Sequence, residues 1–543
     1  MATAAKSNSA QSLAKGNVGW TPARSVAGGR DPWTIIAVIS IATFMVVLDT
    51  SIANVALAHI AGGLSASYDE ATWVITSFLI ANAIVIPISG WLADNIGRKR
   101  YYMFSVALFT FSSVLCGIAP NLPFLVFARV LQGIGGGGLA PVEQSMIVDT
   151  FPPQKRGAAF AAYGVVVIVG PVLGPSLGGW ITDNLSWHWV FLINLPIGLL
   201  SLFLVNIFVN EPPALALSKK KKGDRVDIIG FALIALFLGC LEVTLDRGQV
   251  DDWFSSPLIS SFAVIAMLSL VVFIPWELSR KDPIVEIRLF GQRNFLIANI
   301  FMMLTGVIVF GTTQFIPQLL QEVLGYTATN AGLALTMGGL ATLLVMPLSG
   351  FLSSRVDARY LIGGALAIQA VAMWNMSTLN TQMSFENAAV ARMIQALGLP
   401  FLFVPLTQLA YVGLKPEQNN QASALVNVAR NLGGTFGIAL VQTMLARRDQ
   451  VHQAQYVESL NPLNPNYFSG LHGISQSLTT HGLSQIEATR AATALVYRSL
   501  QQQASMLSYI DVFHTLMVIM LVMLPLVFFM QKAEKGAQGE PAT

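Results

Sequence analysis

Apolar residues fill this chain in long runs rather than alternating with polar ones. The runs fall near 33–57, 71–92, 101–119, 122–147, 157–181, 187–209 and 228–246. They resume near 256–276, 295–320, 330–352, 360–378, 388–412, 422–445 and 508–530. A helix needs roughly 17 to 25 such residues to cross the hydrocarbon core of a bilayer. The breaks between them are short and rich in turn-forming and charged residues. The pattern predicts an all-α polytopic membrane protein with fourteen spans.

Composition agrees. Of the 543 residues, 54% are apolar and only 11% charged, against about a quarter charged in soluble domains. Cys116 and Cys240 both lie inside apolar runs, which implies neither a disulfide framework nor a metal site. Residues 1–32 have no apolar core, so no cleavable signal peptide is expected. The net charge of +3 says little; its placement says more. With the N-terminus in the cytoplasm, 23 of the 31 Lys and Arg residues fall on cytoplasmic segments, including Lys219, Lys220, Lys221, Lys222 and Arg225. Arg247, Arg447, Arg448, Arg490 and Arg498 fall outside, and Arg129, Arg392 and Arg430 lie within spans. This asymmetry places both termini in the cytoplasm.

The chain also repeats itself. "PISGWLADNIGRKRY" (87–101) matches "PLSGFLSSRVDARYL" (347–361), 260 positions on. "RVLQGIG" (129–135) matches "RMIQALG" (392–398), 263 positions on, and Gly170 and Gly174 answer to Gly433 and Gly437 at that same spacing. Two parallel six-helix halves follow, with two helices inserted between them. This is the arrangement of the major facilitator architecture, whose substrate site lies between the halves. The expected organisation is a tail (1–32), a first bundle (33–210), a basic linker (211–227), the inserted pair (228–276), a second linker (277–294), a second bundle (295–530) and a tail (531–543). The second bundle contains an extramembrane segment at 446–507, turn-rich around "NPLNPNY" and helical in composition from Ser484.

Several stations resemble one family. "LDTSIANVAL" (48–57) is similar to the first-span signature of the EmrB/QacA-type drug:proton antiporters, the fourteen-span branch of the major facilitator superfamily. "GWLADNIGRKR" (90–100) and "RVLQGIG" resemble that superfamily's loop and fourth-span motifs, and "GPVLGPSLGGW" (170–180) its antiporter motif. "WHWVFLINLPIG" (187–198) and "LDRGQVDDWF" (245–254) resemble segments of the EmrB-like branch. The resemblance implies proton-coupled efflux of lipophilic or amphipathic compounds from the inner membrane of a bacterium. It also implies a periplasmic adaptor protein and an outer-membrane channel as partners, with 446–507 near the adaptor. One departure stands out: Ser354 occupies the second-half position that answers to Asp94.

The residues carry the chemistry as follows. Gly133, Gly135 and Gly138 form a G-x-G-x-x-G, but a nucleotide-binding turn needs a preceding strand, and here an apolar run surrounds them. Close packing of helices is their expected role. Arg129 is costly in a span and must face the bundle interior with a partner. Asp49 lies at a matching depth on span 1, so the two are expected to communicate, directly or through water. Asp49 is the candidate proton carrier and Arg129 its modulator; a static ion pair is the alternative. Asp94, Arg98 and Asp149 are expected to gather at one membrane face as a conformational latch, a role the resemblance implies, with Gly90 allowing close packing and Gly97 a sharp turn. Gly170, Pro171, Gly174, Pro175, Gly178 and Gly179 are expected to bend span 5 against the opposite half and suppress proton leak; a packing seam is the alternative.

Glu143 either meets cationic cargo or pairs locally. Arg392 and Arg430 either offset the partners of Asp49 or attract anionic cargo. Glu242 and Asp246 are expected in solvent near the outer end of span 7, and His514 is expected to pair with Asp511. The chain shows no G-x-x-x-x-G-K-[ST] loop, so ion coupling rather than ATP is the expected energy source. No enzymatic constellation, cofactor or nucleic-acid site is expected. An exporter of one metabolite, such as a fatty acid or siderophore, and a non-transporting membrane sensor are the rival readings.

Overall fold

The computed structural model describes residues 27, 30–211, 227–461 and 464–530. The basic linker residues Lys219 to Arg225 and the tail 531–543 lie outside the described residues. The first half contains α1 (Pro32–Gly63), α2 (Trp73–Ile96), α3 (Arg98–Gly117), α4 (Leu122–Thr150), α5 (Arg156–Asn184) and α6 (Trp189–Phe208). The inserted pair is α7 (Ile228–Arg247) and α8 (Pro257–Ser279). The second half contains α9 (Arg293–Val323), α10 (Ala328–Ser353), α11 (Ala358–Ser377), α12 (Phe385–Leu409), α13 (Asn419–Ser459), α14 (Pro465–Thr480) and α15 (Gln485–Met523).

Polar residues start these helices where an orphan backbone amide needs an acceptor. Asn121 caps α4 by accepting from the Phe124 amide at 3.0 Å. Thr327 caps α10, and Ser484 with Glu487 forms a reciprocal box at the start of α15. Among the described residues, twelve helices are long and apolar enough to cross a bilayer. α3 and α11 are 20 residues each and less apolar, yet α3 packs between α4 and α6 and α11 between α12 and α15. Fourteen spans are compatible with this set.

The internal repeat reappears as repeated packing. α1 lies on α5 as α9 lies on α13; α2 on α4 as α10 on α12; α3 on α6 as α11 on α15. The halves meet through α5 against α10 and α2 against α13, the same pairing taken in opposite order. Of the inserted helices, α7 packs on α2 and α13, whereas α8 lies at the periphery: 22% of its apolar window is buried against 61% for α1. In the segment after 446 the helix from Ser484 is as expected, whereas the first part is more helical than its turn-rich sequence suggested. α13 runs on to Ser459 as one 41-residue helix, about 60 Å long at 1.5 Å per residue and twice the hydrocarbon thickness. α14 then folds back along α15.

Glycines set the helix spacing in the first half. The formal G-x-G-x-x-G lies inside α4, with no strand before it. A Cβ on Gly135 would stand 2.6 Å from the Phe109 amide of α3, and one on Gly137 2.7 Å from the Asn82 carbonyl of α2. Backbone cannot yield as a flexible side chain can. Gly135→Leu is therefore expected to destabilise the bundle by about 1–3 kcal/mol or more. Gly364→Leu, on α11 with open space around the site, is expected to cost little. Thermal unfolding read by a thiol-reactive dye on the buried Cys116 and Cys240 checks both; equal melting curves for the two variants would refute the packing role.

Candidate functional site

A polar network occupies the middle of the first half. α1 supplies Asp49, α4 Arg129 and Gln132, α3 Ser113 and α6 Asn194, all fully buried. Arg129 Nη1 donates to Asp49 Oδ2 at 2.6 Å and to Gln132 Oε1 at 2.7 Å. The other carboxylate oxygen accepts from Gln132 Nε2 at 2.9 Å and Asn194 Nδ2 at 2.6 Å. Arg129 Nε donates to the Val74 carbonyl of α2, and the Phe78 ring faces the guanidinium at 4.3 Å. Every helix of the first half except α5 thus contributes to holding one ion pair. Burying two charges costs several kcal/mol each unless the remaining lone pairs and protons are met, and here neutral donors and acceptors surround both.

Gln132 and Asn194 were not singled out from sequence. Gln132 carries a usable signal, being three residues beyond Arg129 and hence on its helix face. It is also retained as Gln395 in the repeat.

At one end of the bundle the halves are joined by side chains. Arg98 forms an ion pair with Asp149, and Asp149 Oδ1 accepts from Asn419 Nδ2 of α13 at 2.7 Å. Asp94 accepts from Asn420 Nδ2. Ser145 donates to the Asn420 amide oxygen, and Asn427 Nδ2 to Gln144 Oε1 at 2.8 Å. Gly90 permits the approach, since a Cβ there would stand 2.9 Å from the Asn420 carbonyl. Gly97 turns the chain between α2 and α3 at φ 104°, a region that disfavours side chains. Asn419 and Asn420 were missed in the sequence because uncharged amides opening a helix resemble ordinary caps. In the second half Ser354, which answers to Asp94, donates to the nearby Phe351 carbonyl at 2.8 Å.

Other expectations need correction. The glycine face of α5 meets its own half, not the opposite one. Gly170 lies on Val47, Gly174 on Ser51 and Gly178 on Ile52 of α1, while Gly179 faces open space. The opposite half is met by Val172, against Gly339, and by Pro175, against Gly332. Pro171 and Pro175 sit within an uninterrupted helix.

Glu242 is withdrawn from solvent and Asp246 is half-buried. Glu242 is buried and accepts from Thr435 Oγ1 of α13 at 3.0 Å, and Asp246 accepts from Thr76 Oγ1 of α2 at 2.6 Å. The inserted helix α7 thereby bridges the halves, which explains why carboxylates stand on it. Asp511 pairs with Arg448 and His452 of α13 at 2.5 and 2.7 Å, while His514 is exposed.

Glu143 is fully buried and accepts from Thr43 Oγ1 at 2.5 Å and Tyr102 Oη at 3.0 Å. Arg430 donates to Asn427 at 2.9 Å. Arg392 donates to Thr312, Thr313 and Gln395 of its own half, far in sequence and packing from Asp49.

Residues 39–438 match the Major Facilitator Superfamily. The multidrug export protein EmrB of Escherichia coli (strain K12) is 39% identical over 505 residues, covering 92% of this chain and 95% of that protein. The fatty acid resistance protein FarB of Neisseria gonorrhoeae is 35% identical, over 91% of this chain and 95% of its own. Among solved structures, the proton:xylose symporter XylE bound to 6-bromo-6-deoxy-D-glucose superposes with a TM-score of 0.60 at 15% identity, covering 92% of this chain and 96% of its own.

The contact between α2 and α13 yields a test. Asn420→Asp replaces the donor to Asp94 with a carboxylate and sets like charges together. Losing that bond and leaving a buried acceptor unmet is expected to weaken the contact by about 1–3 kcal/mol. Spin labels at residues 95 and 415 should then report a population at longer separation that the unsubstituted protein lacks. An unchanged distance distribution would show that Asn420 does not hold the halves together.

Proposed function

The chain belongs to the major facilitator superfamily, and from that premise we propose that it is a proton-coupled exporter of lipophilic or amphipathic compounds, drugs among them, working by alternating access. One observation carries the reading: Asp49 is an ionisable acid in the core of the first bundle, bonded to Arg129, Gln132 and Asn194 and fully withdrawn from solvent. A carboxylate is retained in such a place at considerable cost, and proton relay is a use that offsets it. In the proposed cycle Asp49 and Arg129 start as a bonded pair. With the site open to the outer face, rearrangement within the first bundle loosens the Arg129 contact and Asp49 takes a proton. Once the halves have rocked to face the cytoplasm the pair re-forms and the proton leaves inward, cargo moving by the opposite swing. Each inward proton makes about 2.3 kcal/mol available per 100 mV.

The Arg98–Asp149 pair with Asn419, and Asp94 with Asn420, serve in this reading as the latch that holds the halves together at the cytoplasmic face. The glycine face of α5 lets α1, which bears Asp49, slide closely along it while Val172 and Pro175 seal the boundary with α10. Both termini lie in the cytoplasm of a bacterium whose inner membrane the chain spans fourteen times, and the domain limits are those drawn from the sequence. The helical projection formed by the ends of α13 and α15 with α14 faces the periplasm. It meets an adaptor protein there, which continues to an outer-membrane channel.

A second reading, export of one metabolite class such as fatty acids, draws support from the similarity to FarB. A cargo panel separates the two, because a specific exporter ignores unrelated dyes.

The decisive experiment is cargo-driven proton movement in proteoliposomes. Asp49→Asn is expected to lower it at least tenfold while leaving membrane insertion intact, and Asp49→Glu to restore part of it. Normal coupled flux in Asp49→Asn would end the proposal.

A further inference from the structure

The two halves hold their intramembrane arginines in almost the same way, with one difference. In the first half Arg129 donates to Gln132 Oε1 and to Asp49, and Gln132 Nε2 donates to Asp49 at 2.9 Å. In the second half Arg392 donates to Gln395 Oε1 and, at 3.2 Å, to Thr312 Oγ1, and Gln395 Nε2 donates to Thr312 Oγ1 at 2.9 Å. Arg392, Gln395 and Thr312 stand 263 positions beyond Arg129, Gln132 and Asp49. The donors are retained and the carboxylate is replaced by a hydroxyl. Arg392 is consequently a buried guanidinium whose bonded partners are neutral side chains, and its Nε has no hydrogen-bond partner. A buried cation without an anion is costly, and arginine does not escape by losing its proton.

Its surroundings are also more open. Phe78, whose ring covers Arg129, has Gly338 as its counterpart 260 positions on. A Cβ at 338 would stand 2.9 Å from Arg392 Cγ and 3.1 Å from Nε, so the glycine makes room for the arginine stem. Among the described residues no ring faces the Arg392 guanidinium. Arg392 retains 7% exposure where Arg129 has none, Thr313 beside it is half-buried, and Gln314 is exposed.

We propose that Arg392, Thr312 and Gln395 form a subsite for the carboxylate of amphipathic anionic cargo. The first half shows what this donor set holds when the chain itself supplies the anion: a single carboxylate. In the second half the anion comes from outside, with the Thr312 hydroxyl exchanging its 2.6 Å bond to the Ile308 carbonyl for one to the anion and the Arg392 Nε completing the fork. The inference rests on the reading of the chain as an exporter for the word cargo, but the site itself does not depend on transport.

The test is equilibrium binding to the full chain in phosphatidylcholine nanodiscs at neutral pH, with empty discs subtracted. Octanoate and octyltrimethylammonium serve as probes of equal chain length and opposite charge. Arg392→Gln is expected to weaken octanoate at least tenfold and octyltrimethylammonium less than twofold, with Arg392→Lys intermediate. Thr312→Asp recreates the arrangement of the first half, so it should occupy the subsite from within and abolish octanoate binding without disturbing the fold. Octanoate affinity unchanged in Arg392→Gln or Thr312→Asp would overturn the proposal, as would an equal loss of both probes or no octanoate binding by the unsubstituted protein. Displacement of octanoate by phosphatidylserine added to the disc would make the occupant a lipid headgroup and overturn the cargo assignment. Selective octanoate binding without coupled proton movement would leave the subsite standing and count against the exporter reading instead.

Discussion

Everything in the first bundle is arranged around one buried ion pair. Asp49 and Arg129 come from helices far apart in sequence, and neither charge is tolerable alone in a low-dielectric interior. Their pairing therefore fixes the rotation of α1 and α4 about their own axes. Gln132, Asn194 and Ser113 complete the shell and bring α3 and α6 into the same register. Glycines on α4 then follow as a geometric necessity, because Arg129 reaches the Val74 carbonyl only if α2 and α4 are close. The packing of small residues and the placing of charge are one constraint expressed twice.

The contact between the halves is built differently. Where α2 and α4 meet α13 it is made mostly of amides and hydroxyls: Asn419, Asn420, Gln144, Ser145 and Asn427, with the carboxylates of Asp94 and Asp149 as acceptors. Such bonds are individually worth about 1 kcal/mol net and exchange readily with water. An interface that must part and re-form is better served by them than by a large apolar seam. On α7, Glu242 and Asp246 bond one hydroxyl from each half in the same exchangeable manner, so the inserted helix is a bridge rather than an appendage.

Much of this was legible in the chain. Apolar runs located the helices, and the internal repeat gave the two-half plan, because both properties are written in residue type and spacing. Arg129 and Asp49 stood out because charge in a span is rare. What stayed hidden was anything depending on direction. Glycines on α5 indicate close approach, but not to which neighbour, and the neighbour is α1 of the same half. Glu242 lies near a helix end, where depth alone suggests water; only the tertiary position of α7 against α13 reveals its burial. Gln132 and Asn420 are ordinary residues by type and acquire meaning from partners distant in sequence. Asp511 lies three residues from His514, and that local proximity misleads, since its partners arrive from α13.

The unbroken length of α13 has a mechanical consequence. The helix carries Asn419 and Asn420 at one extremity and His452 near the other, where it is clamped to α15. With a span of about 60 Å, each degree of tilt about the asparagine end sweeps the far end through about 1 Å. Any rearrangement where the asparagines grip the first bundle is thus delivered, as by the arm of a lever, to the helices that project beyond the lipid.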